Sequence, residues 1–480
     1  MKTNFIIKLI FSLFLFLVPN LVAASSLLLD MTSNYYGLIS VFVFFIAYIF
    51  VVGEDFFHMR KSKPVLLASG IIWVLIGFYC TQVGKSQLAE EAFNYNLTEY
   101  AQLLLFLIVA MSYVNAMEER GVFDFIRKWM IDKKFDLYKL FWFTGVCSFF
   151  ISSVANNLTT AMLMCAIVLK MAPKNNKYIN LSCINIIIAS NAGGAFSPFG
   201  DITTLMVWQA GLVDFNQFFQ LLVPSIVNFV VPACILSTMI EKHGETPAVL
   251  ENTKLKRGAK RIVVLFLLTI LTSVLCHSWF SMPPVLGMMT GLAYLKLFAF
   301  YLRKSLELSI AKNNSCANGS QKGMSRFKAM GDVVPFDVFD KIARAEWDTL
   351  LFFYGVVMCV GGLGFMGYLG LISDYIYSGN NNVIANVAVG VLSAIIDNIP
   401  VMYAVIKMNP SMDLTQWLLV TMTAGVGGSL LSVGSAAGVA LMGQTKGVYS
   451  FMSHLRLAWI PMIGYILSIF VHLLISGYYF

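Results

Sequence analysis

The sequence predicts an all-α polytopic membrane protein built from two inverted-topology repeats. Of its 480 residues, 58% are hydrophobic and only 12% are charged, which is more apolar surface than a soluble globule of this length can bury. Apolar runs recur along the chain, and glycine-rich breaks interrupt some of them. We therefore expect roughly 11 spans in a lipid bilayer, together with a re-entrant hairpin and a discontinuous helix in each repeat.

The net charge of +8 comes from basic residues in short loops between apolar runs. Basic loops orient spans by staying in the cytoplasm, so the charge does not indicate a nucleic-acid partner. Seven of the eight cysteines lie in apolar stretches and no CxxC pair occurs, so neither a disulfide framework nor a zinc site is indicated. We expect no cofactor.

The first 24 residues have the pattern of a cleavable signal peptide. Lys2 and Lys8 precede an apolar core, and the small residues Val22-Ala23-Ala24 follow it. An uncleaved first transmembrane helix is the alternative. In either case we expect the first membrane half to occupy residues 25–302.

The first half begins with spans whose orientation follows from the basic loops. Apolar runs lie near residues 35–53, 64–84 and 98–117. The loop between the first two holds Arg60, Lys61 and Lys63 and is predicted to be cytoplasmic. The connection at 85–97 has more acidic than basic residues and is predicted to be external.

The region 138–171 is predicted to be a re-entrant hairpin that enters from the cytoplasm. Basic residues flank it on both sides, so both flanks lie inside, and each limb is shorter than the roughly 20 residues that a full span needs. Its turn, "SSVANNLTT", places Asn156 and Asn157 at the tip with Thr159 and Thr160. Two short full spans remain an alternative, because two crossings of the membrane would also leave both flanks in the cytoplasm.

A discontinuous helix is predicted at 179–208, where "SNAGGAFSPFGDITTLMVW" puts glycines, a proline and Asp201 inside an apolar run. Further spans are expected near residues 217–240, 261–279 and 283–302. The polar segment 303–346 contains many basic residues and is interpreted as a cytoplasmic linker between the halves.

The second membrane half, 347–480, repeats this order. After a span near 347–371 come a hairpin at 383–412, turning at "SAIIDNIP", a glycine-broken helix at 414–444, and a last span. Asp397-Asn398 matches Asn156-Asn157, and the glycines of the two breaks have the same spacing. Because the second hairpin enters from outside, the repeats are inverted, and such transporters bind their ligand at the midplane between repeats.

The breaks are interpreted as a cation site. Unwound backbone is tolerated in a bilayer only where it is buried in protein or lines a polar cavity, and hard cations such as Na⁺ prefer oxygen ligands. The candidate oxygens near the first break belong to Ser190, Asn191, Asp201, Thr203 and Thr204, and those of the second hairpin to Ser393, Asp397 and Asn398.

We expect Na⁺ to bind Asp201, Thr203, Thr204 and Asn398 in competition with protons, because burial favours the protonated form of a carboxylate. Placing a carboxylate at mid-membrane costs free energy, so such residues are usually functional. A structural ion pair is the alternative role. The polar uncharged residues can instead serve as interhelical hydrogen-bonding groups.

Several blocks of the chain resemble the signature motifs of NhaD-type sodium/proton antiporters of the ion transporter superfamily. These blocks are "ISSVANNLTTAMLM", "SNAGGAFSPFGDITTLMVW", "EWDTLLFF", "SAIIDNIPVMYAV" and "GGSLLSVGSAAGVALMG". The resemblance extends over nearly the whole chain after residue 24. It implies a multi-pass plasma-membrane protein, such as one of a bacterial inner membrane, that exchanges Na⁺, and also Li⁺, for H⁺.

The resemblance also implies a homodimer whose transport domains move in an elevator-like way. The implied ion-site residues are Ser152, Asn157, Asp201, Thr203, Thr204, Ser393, Asp397, Asn398 and Ser435. The family often has aspartate where this chain has Asn156, and this departure bears on the number of protons exchanged.

Two other functions can be weighed from the residues. A sodium-coupled carboxylate symporter of the same superfamily is the alternative transporter, but two carboxylates at the site would repel a dianionic substrate. An intramembrane aspartyl protease also uses two membrane aspartates. Its GxGD and YD motifs fail here, because Pro198 stands at the first glycine position and Ile396 precedes Asp397. The sequence therefore predicts a transporter rather than an enzyme.

Overall fold

The computed structural model describes residues 29–57, 59–133, 135–173, 175–240, 255–315, 338–377 and 382–477. Regular structure in these ranges is helical, and seven helical segments there are long and apolar enough to cross a membrane. The prediction of an all-α polytopic membrane protein is confirmed. The predicted signal segment, 1–24, lies outside the described residues.

The first part of the chain contains two spans and one long helix. Its elements are α1 (Tyr35–Val52), α2 (Glu54–Phe57), α3 (Ser62–Gln82), α4 (Ser86–Glu119) and α5 (Val122–Asp132). The connection at 85–97, whose external position stays a prediction, is helical, because α4 already begins at Ser86. Its first turns are rich in Gln, Ala and Glu, which are good helix formers, so the helix continues beyond the apolar run.

The predicted first hairpin and first broken helix form four helices. They are α6 (Leu137–Ser152), α7 (Asn157–Met171), α8 (Asn176–Ala195) and α9 (Ile202–Gln209). The Leu158 N–H at the start of α7 donates to the side-chain oxygens of Asn156 at 3.1 Å and Asn157 at 2.7 Å, so the hairpin tip caps its own second limb.

The rest of the first half consists of a 3₁₀ helix at Phe215–Leu221, α10 (Leu222–Ser237), α11 (Ala259–Phe280) and α12 (Pro284–Ser315). Helix α12 continues to Ser315, beyond the expected start of the linker at 303. A helix satisfies its own backbone hydrogen bonds, so it can extend out of the apolar region. The helix α13 (Val338–Ala343) precedes the second half.

The second half contains one helix of membrane-spanning length, followed by the second hairpin and the second broken helix. Its elements are α14 (Trp347–Phe365), α15 (Tyr368–Tyr377), α16 (Asn382–Ser393), α17 (Asn398–Met408), α18 (Leu414–Gly427), α19 (Ala436–Gln444), α20 (Phe451–Leu455) and α21 (Trp459–Ile475). The expected span at 347–371 divides at Gly367, whose φ of +95° ends α14 in a left-handed turn.

The helices pack in two groups. One group includes α1, α3, α4, α11, α12 and α14, and the other includes α6, α7, α8, α10, α16, α18, α19 and α21. Helix α17, the second limb of the second hairpin, packs against α14 of the first group and α18 of the second. Phe42 and Phe78 are exposed on the first group, as expected of side chains that face lipid.

Helix α8 lies at the centre of the second group. Its residues are buried from Leu181 through Ala195, including the polar Ser190 and Asn191. A Cβ at Gly193 would lie 2.7 Å from the Phe149 carbonyl carbon of α6, so this glycine permits close contact between the broken helix and the hairpin. The equivalent Gly427 approaches the backbone of Gly390 in the same way, which supports the internal repeat.

Candidate ion-binding site

The carboxylate of Asp201 caps the N-terminus of α9. The backbone of Asp201 is extended, with φ −138° and ψ 153°, and its Oδ1 accepts a 2.7 Å hydrogen bond from the Ile202 N–H. Pro198 and Gly200 occupy the preceding break between α8 and α9. A proline cannot donate a backbone hydrogen bond, so α8 cannot continue regularly through it. The break thereby places a helix N-terminus, which stabilises negative charge, at a buried carboxylate.

The other carboxylate oxygen of Asp201 accepts hydrogen bonds only from neutral groups within the described residues. Thr203 Oγ1 donates to Asp201 Oδ2 at 3.1 Å, and Asn398 Nδ2 donates at 2.9 Å. Asp201 is 5% exposed and makes no ion pair in the part of the chain that the structure describes. Its negative charge is therefore unbalanced there, and a bound cation or a proton would neutralise it.

Gly425 of α18 lies beside this carboxylate. A Cβ at this position would be 3.6 Å from Asp201 Oδ2 and 3.7 Å from Thr203 Oγ1. The absence of a side chain leaves room next to the two oxygens. Sequence reasoning missed Gly425, because it lies two residues before the matched glycine pair of α18 and has no side chain that would indicate a ligand.

Thr204 has a different role from Thr203. Its hydroxyl lies 2.9 Å from the Ser197 carbonyl oxygen and 2.7 Å from the Asp201 carbonyl oxygen, to which it donates. These bonds join the two sides of the helix break through backbone oxygens, and the Thr204 hydroxyl does not donate to the carboxylate. As a result, the arrangement brings Thr203 and Asn398 to the Asp201 carboxylate but leaves the Thr204 hydroxyl engaged with backbone.

A second group of polar side chains joins the first hairpin to the second broken helix. Asn157 Nδ2 donates to Asn191 Oδ1 at 3.1 Å, and Asn191 Nδ2 donates to Ser435 Oγ at 3.3 Å. Ser435 caps α19, as Asp201 caps α9. The two groups thus occupy equivalent places in the two repeats, and the second contains no carboxylate.

Ser152 and Ser393 tie the hairpins to the broken helices. Ser152 Oγ donates to the Ser190 carbonyl oxygen at 2.6 Å, and Ser393 Oγ donates to the Ala424 carbonyl oxygen at 2.7 Å. Both hydroxyls lie at the end of a hairpin's first limb and are fully buried. Their matching contacts hold each hairpin tip beside its own helix break.

The second carboxylate, Asp397, forms an ion pair. It stands at the N-cap position of α17 without a side-chain capping bond, and its Oδ2 lies 2.8 Å from Lys61 Nζ, which belongs to the connection before α3. Its Oδ1 is buried and accepts no hydrogen bond from the described residues. The ion pair that the sequence left open as an alternative therefore applies to Asp397 and not to Asp201.

Lys61 was missed as a site residue. Sequence reasoning used it only to place a loop in the cytoplasm, and it stands 336 positions from Asp397. No local pattern indicates a contact over that separation. Only the packing of α3 against α14, and of α14 against α17, brings the two side chains together.

The chain is similar to known transport proteins over most of its length. A family model described as "Citrate transporter" matches residues 40–425. The Na⁺/H⁺ antiporter NhaD of Halomonas elongata is 58% identical over 95% of this chain and 92% of its own length. The proteins of the same name from Alkalimonas amylolytica and Vibrio cholerae are 57% and 56% identical, over 95% and 93% of this chain and 94% of their own lengths.

Proposed function

The chain belongs to the family of NhaD-type Na⁺/H⁺ antiporters, and from this we propose that it exchanges Na⁺, and also Li⁺, for H⁺ by competition at Asp201. It is an integral, multi-pass plasma-membrane protein and a transporter rather than an enzyme. The observation that carries the proposal is a buried carboxylate whose described partners are all neutral.

Exchange follows if Asp201 binds one cation at a time. With the carboxylate ionised, Na⁺ binds its oxygens and the Thr203 hydroxyl, and the Asn398 amide turns its carbonyl oxygen toward the ion. With the carboxylate protonated, the charge is already neutral and Na⁺ is not held. Burial favours neutralisation and the α9 N-terminus favours the ionised form, so both states are accessible.

Asp397 is proposed as the second ion-binding and proton-coupling carboxylate. It directly precedes Asn398, whose amide contacts Asp201, so the two carboxylates belong to one site. The group of Asn157, Asn191 and Ser435 supplies oxygen ligands at the equivalent position of the other repeat. Because Asn156 stands where Asp397 stands in the second repeat, this equivalent position has no group that titrates.

The two hairpins are proposed to be re-entrant, and the repeats inverted. The membrane halves would be 25–302 and 347–480, joined by a cytoplasmic linker at 303–346. Packing of the described helices in two groups is compatible with movement of one group against the other, as in an elevator mechanism. A homodimer is proposed from the resemblance to the family.

The alternative, a sodium-coupled carboxylate symporter, is not favoured. The matching family model has a citrate-transporter description, whereas relatives that are 56–58% identical over most of the chain have antiporter names. The chemistry agrees with the relatives, because the uncompensated charge of Asp201 would repel a carboxylate substrate and attract a cation.

Everted membrane vesicles loaded with a pH-sensitive dye test the proposal. After respiration acidifies the interior, pulses of NaCl and LiCl should release protons, whereas KCl and choline succinate should not. Vesicles with Asp201→Asn protein at matched expression are the control. Proton movement on succinate addition, or the absence of any response to Na⁺ in wild-type vesicles, would contradict the antiporter proposal.

A further inference from the structure

Lys61 lies between two groups that can hold its ammonium. Nζ is 2.8 Å from Asp397 Oδ2 and 4.5 Å from the centre of the Phe352 ring on α14. The Lys61 side chain is 16% exposed and that of Asp397 is 9% exposed. The Lys61 backbone N–H also donates to Glu54 Oε1 at 3.4 Å, which fixes the connection that carries the side chain.

The charges near the site distinguish the two carboxylates. Asp201 and Asp397 together carry two negative charges when ionised, and the Lys61 ammonium balances one of them. A cation can bind Asp397 only if the ammonium leaves or if both cations share the carboxylate. Two positive charges on one buried carboxylate repel each other strongly, so displacement is favoured.

The surroundings allow the ammonium to leave without becoming fully unpaired. The Phe352 ring attracts a cation by its face, and Glu54 contacts the same connection. Asp397 Oδ1, which accepts no hydrogen bond from the described residues, gives an incoming cation a first oxygen while Oδ2 is still paired. The ring therefore already contacts the ammonium in its paired position and can continue to hold it when another cation takes the carboxylate oxygen.

We propose that Lys61 is a positioning residue for transport, acting as a cation built into the chain that occupies Asp397 and is displaced when the transported cation binds there. The proposal rests on the antiport function above. It assigns to Lys61 a role in setting how tightly the site holds Na⁺, through competition for one carboxylate rather than through contact with the ion.

Amine labelling of the wild-type protein, with Asp397→Asn protein as the control, tests this displacement. Protein in proteoliposomes is treated briefly with acetic anhydride in NaCl or in choline chloride, and acetylation of Lys61 and of the exposed Lys63 is measured by mass spectrometry. Na⁺ should increase Lys61 labelling about fivefold or more and leave Lys63 labelling unchanged. Asp397→Asn protein should show high Lys61 labelling in both salts.

Binding measurements provide the second readout. Lys61→Met should lower the half-saturating Na⁺ concentration in ²²Na⁺ binding about fivefold or more, whereas Lys61→Arg should not lower it. Lys63→Met, which removes the same charge two residues away, should bind like wild type. In the Asp397→Asn background, Lys61→Met should have no further effect.

The result that overturns the proposal is Lys61 labelling that does not rise with Na⁺ in vesicles that exchange Na⁺ for H⁺. Equal Na⁺ binding by folded Lys61→Met and wild-type protein would also overturn it. The exchange assay on the same vesicles separates the two proposals, because a failed antiport function appears as no proton release from wild-type protein.

Discussion

The amide of Asn398 donates a 2.9 Å hydrogen bond to the Asp201 carboxylate across 197 positions of sequence. Asn398 begins the second limb of the second hairpin, and Asp201 caps the second part of the first broken helix. One bond therefore joins the two repeats at the candidate site. Any displacement of the second hairpin changes the ligands available to a cation at Asp201.

Asp201→Asn should abolish Na⁺/H⁺ exchange while the protein still inserts and folds. The amide preserves the shape of the side chain and one acceptor oxygen but removes its charge and its titratable proton. Dye-based exchange in vesicles, with expression and thermal stability measured in parallel, checks this. Wild-type exchange by a well-expressed Asp201→Asn protein would show that the proposed site is wrong.

Asp201→Glu should retain part of the exchange activity and shift its pH profile upward. Glutamic acid is the weaker acid in water and holds its proton to higher pH, so Na⁺ displaces that proton only in more alkaline solution. The measurement is the exchange rate as a function of pH at fixed Na⁺. An unchanged profile would indicate that this carboxylate does not exchange the proton.

Thr203→Val and Thr204→Val should have different effects. Loss of the Thr203 hydroxyl removes a cation ligand and should raise the half-saturating Na⁺ concentration about three- to tenfold. Loss of the Thr204 hydroxyl removes its hydrogen bonding to the Ser197 and Asp201 carbonyl oxygens, which keep their backbone N–H donors, and should lower stability by about 1 kcal/mol. Na⁺ titrations and melting curves of the two proteins separate these effects, and identical phenotypes would refute the division of roles.

Asn156→Asp should fold normally and increase the number of protons exchanged per cycle. An aspartate can accept the Leu158 N–H bond that Asn156 accepts now, so the cap of α7 is preserved. The change places a carboxylate where the second repeat has Asp397. Charge movement measured on solid-supported membranes, compared with wild type at equal Na⁺, tests whether this position can couple a proton.

Gly193→Ala should destabilise the protein by about 1–3 kcal/mol, because its Cβ would collide with the Phe149 backbone. Gly77→Ala is the matched control, since a Cβ there meets no atom within 4 Å. Fluorescence-detected thermal melting in detergent compares the two. A Gly193→Ala protein as stable as the control would argue against close contact between α6 and α8.

Single cysteines should report opposite orientations of the two hairpins. In a background without native cysteines, Asn176→Cys should react with a membrane-impermeant maleimide only from the cytoplasmic side. Asn382→Cys should react only from the external side. If both positions are labelled from one side, the inverted repeat is wrong.

Local sequence was sufficient to predict where the helices break. The bounds predicted for the hairpin limbs at 138–171 and 383–412 and for the broken helices at 179–208 and 414–444 lie close to those of α6 to α9 and α16 to α19. The re-entrant course of the hairpins stays a prediction. Glycine, proline and capping residues act on backbone within a few positions, so their effect can be read along the chain. A carboxylate such as Asp201 in an apolar run indicates function, because burying a charged group in the membrane is energetically unfavourable.

Tertiary structure decided which of these groups meet. The contacts of Lys61 with Asp397, of Asn398 with Asp201, and of Asn191 with Ser435 join residues from 197 to 336 positions apart. Thr203 and Thr204 are neighbours in sequence, yet only the fold turns one hydroxyl to the carboxylate and the other to backbone. Hydrogen bonds and ion pairs act over a few ångströms and depend on direction, so helix packing, and not residue type, determined which polar groups meet at this candidate site.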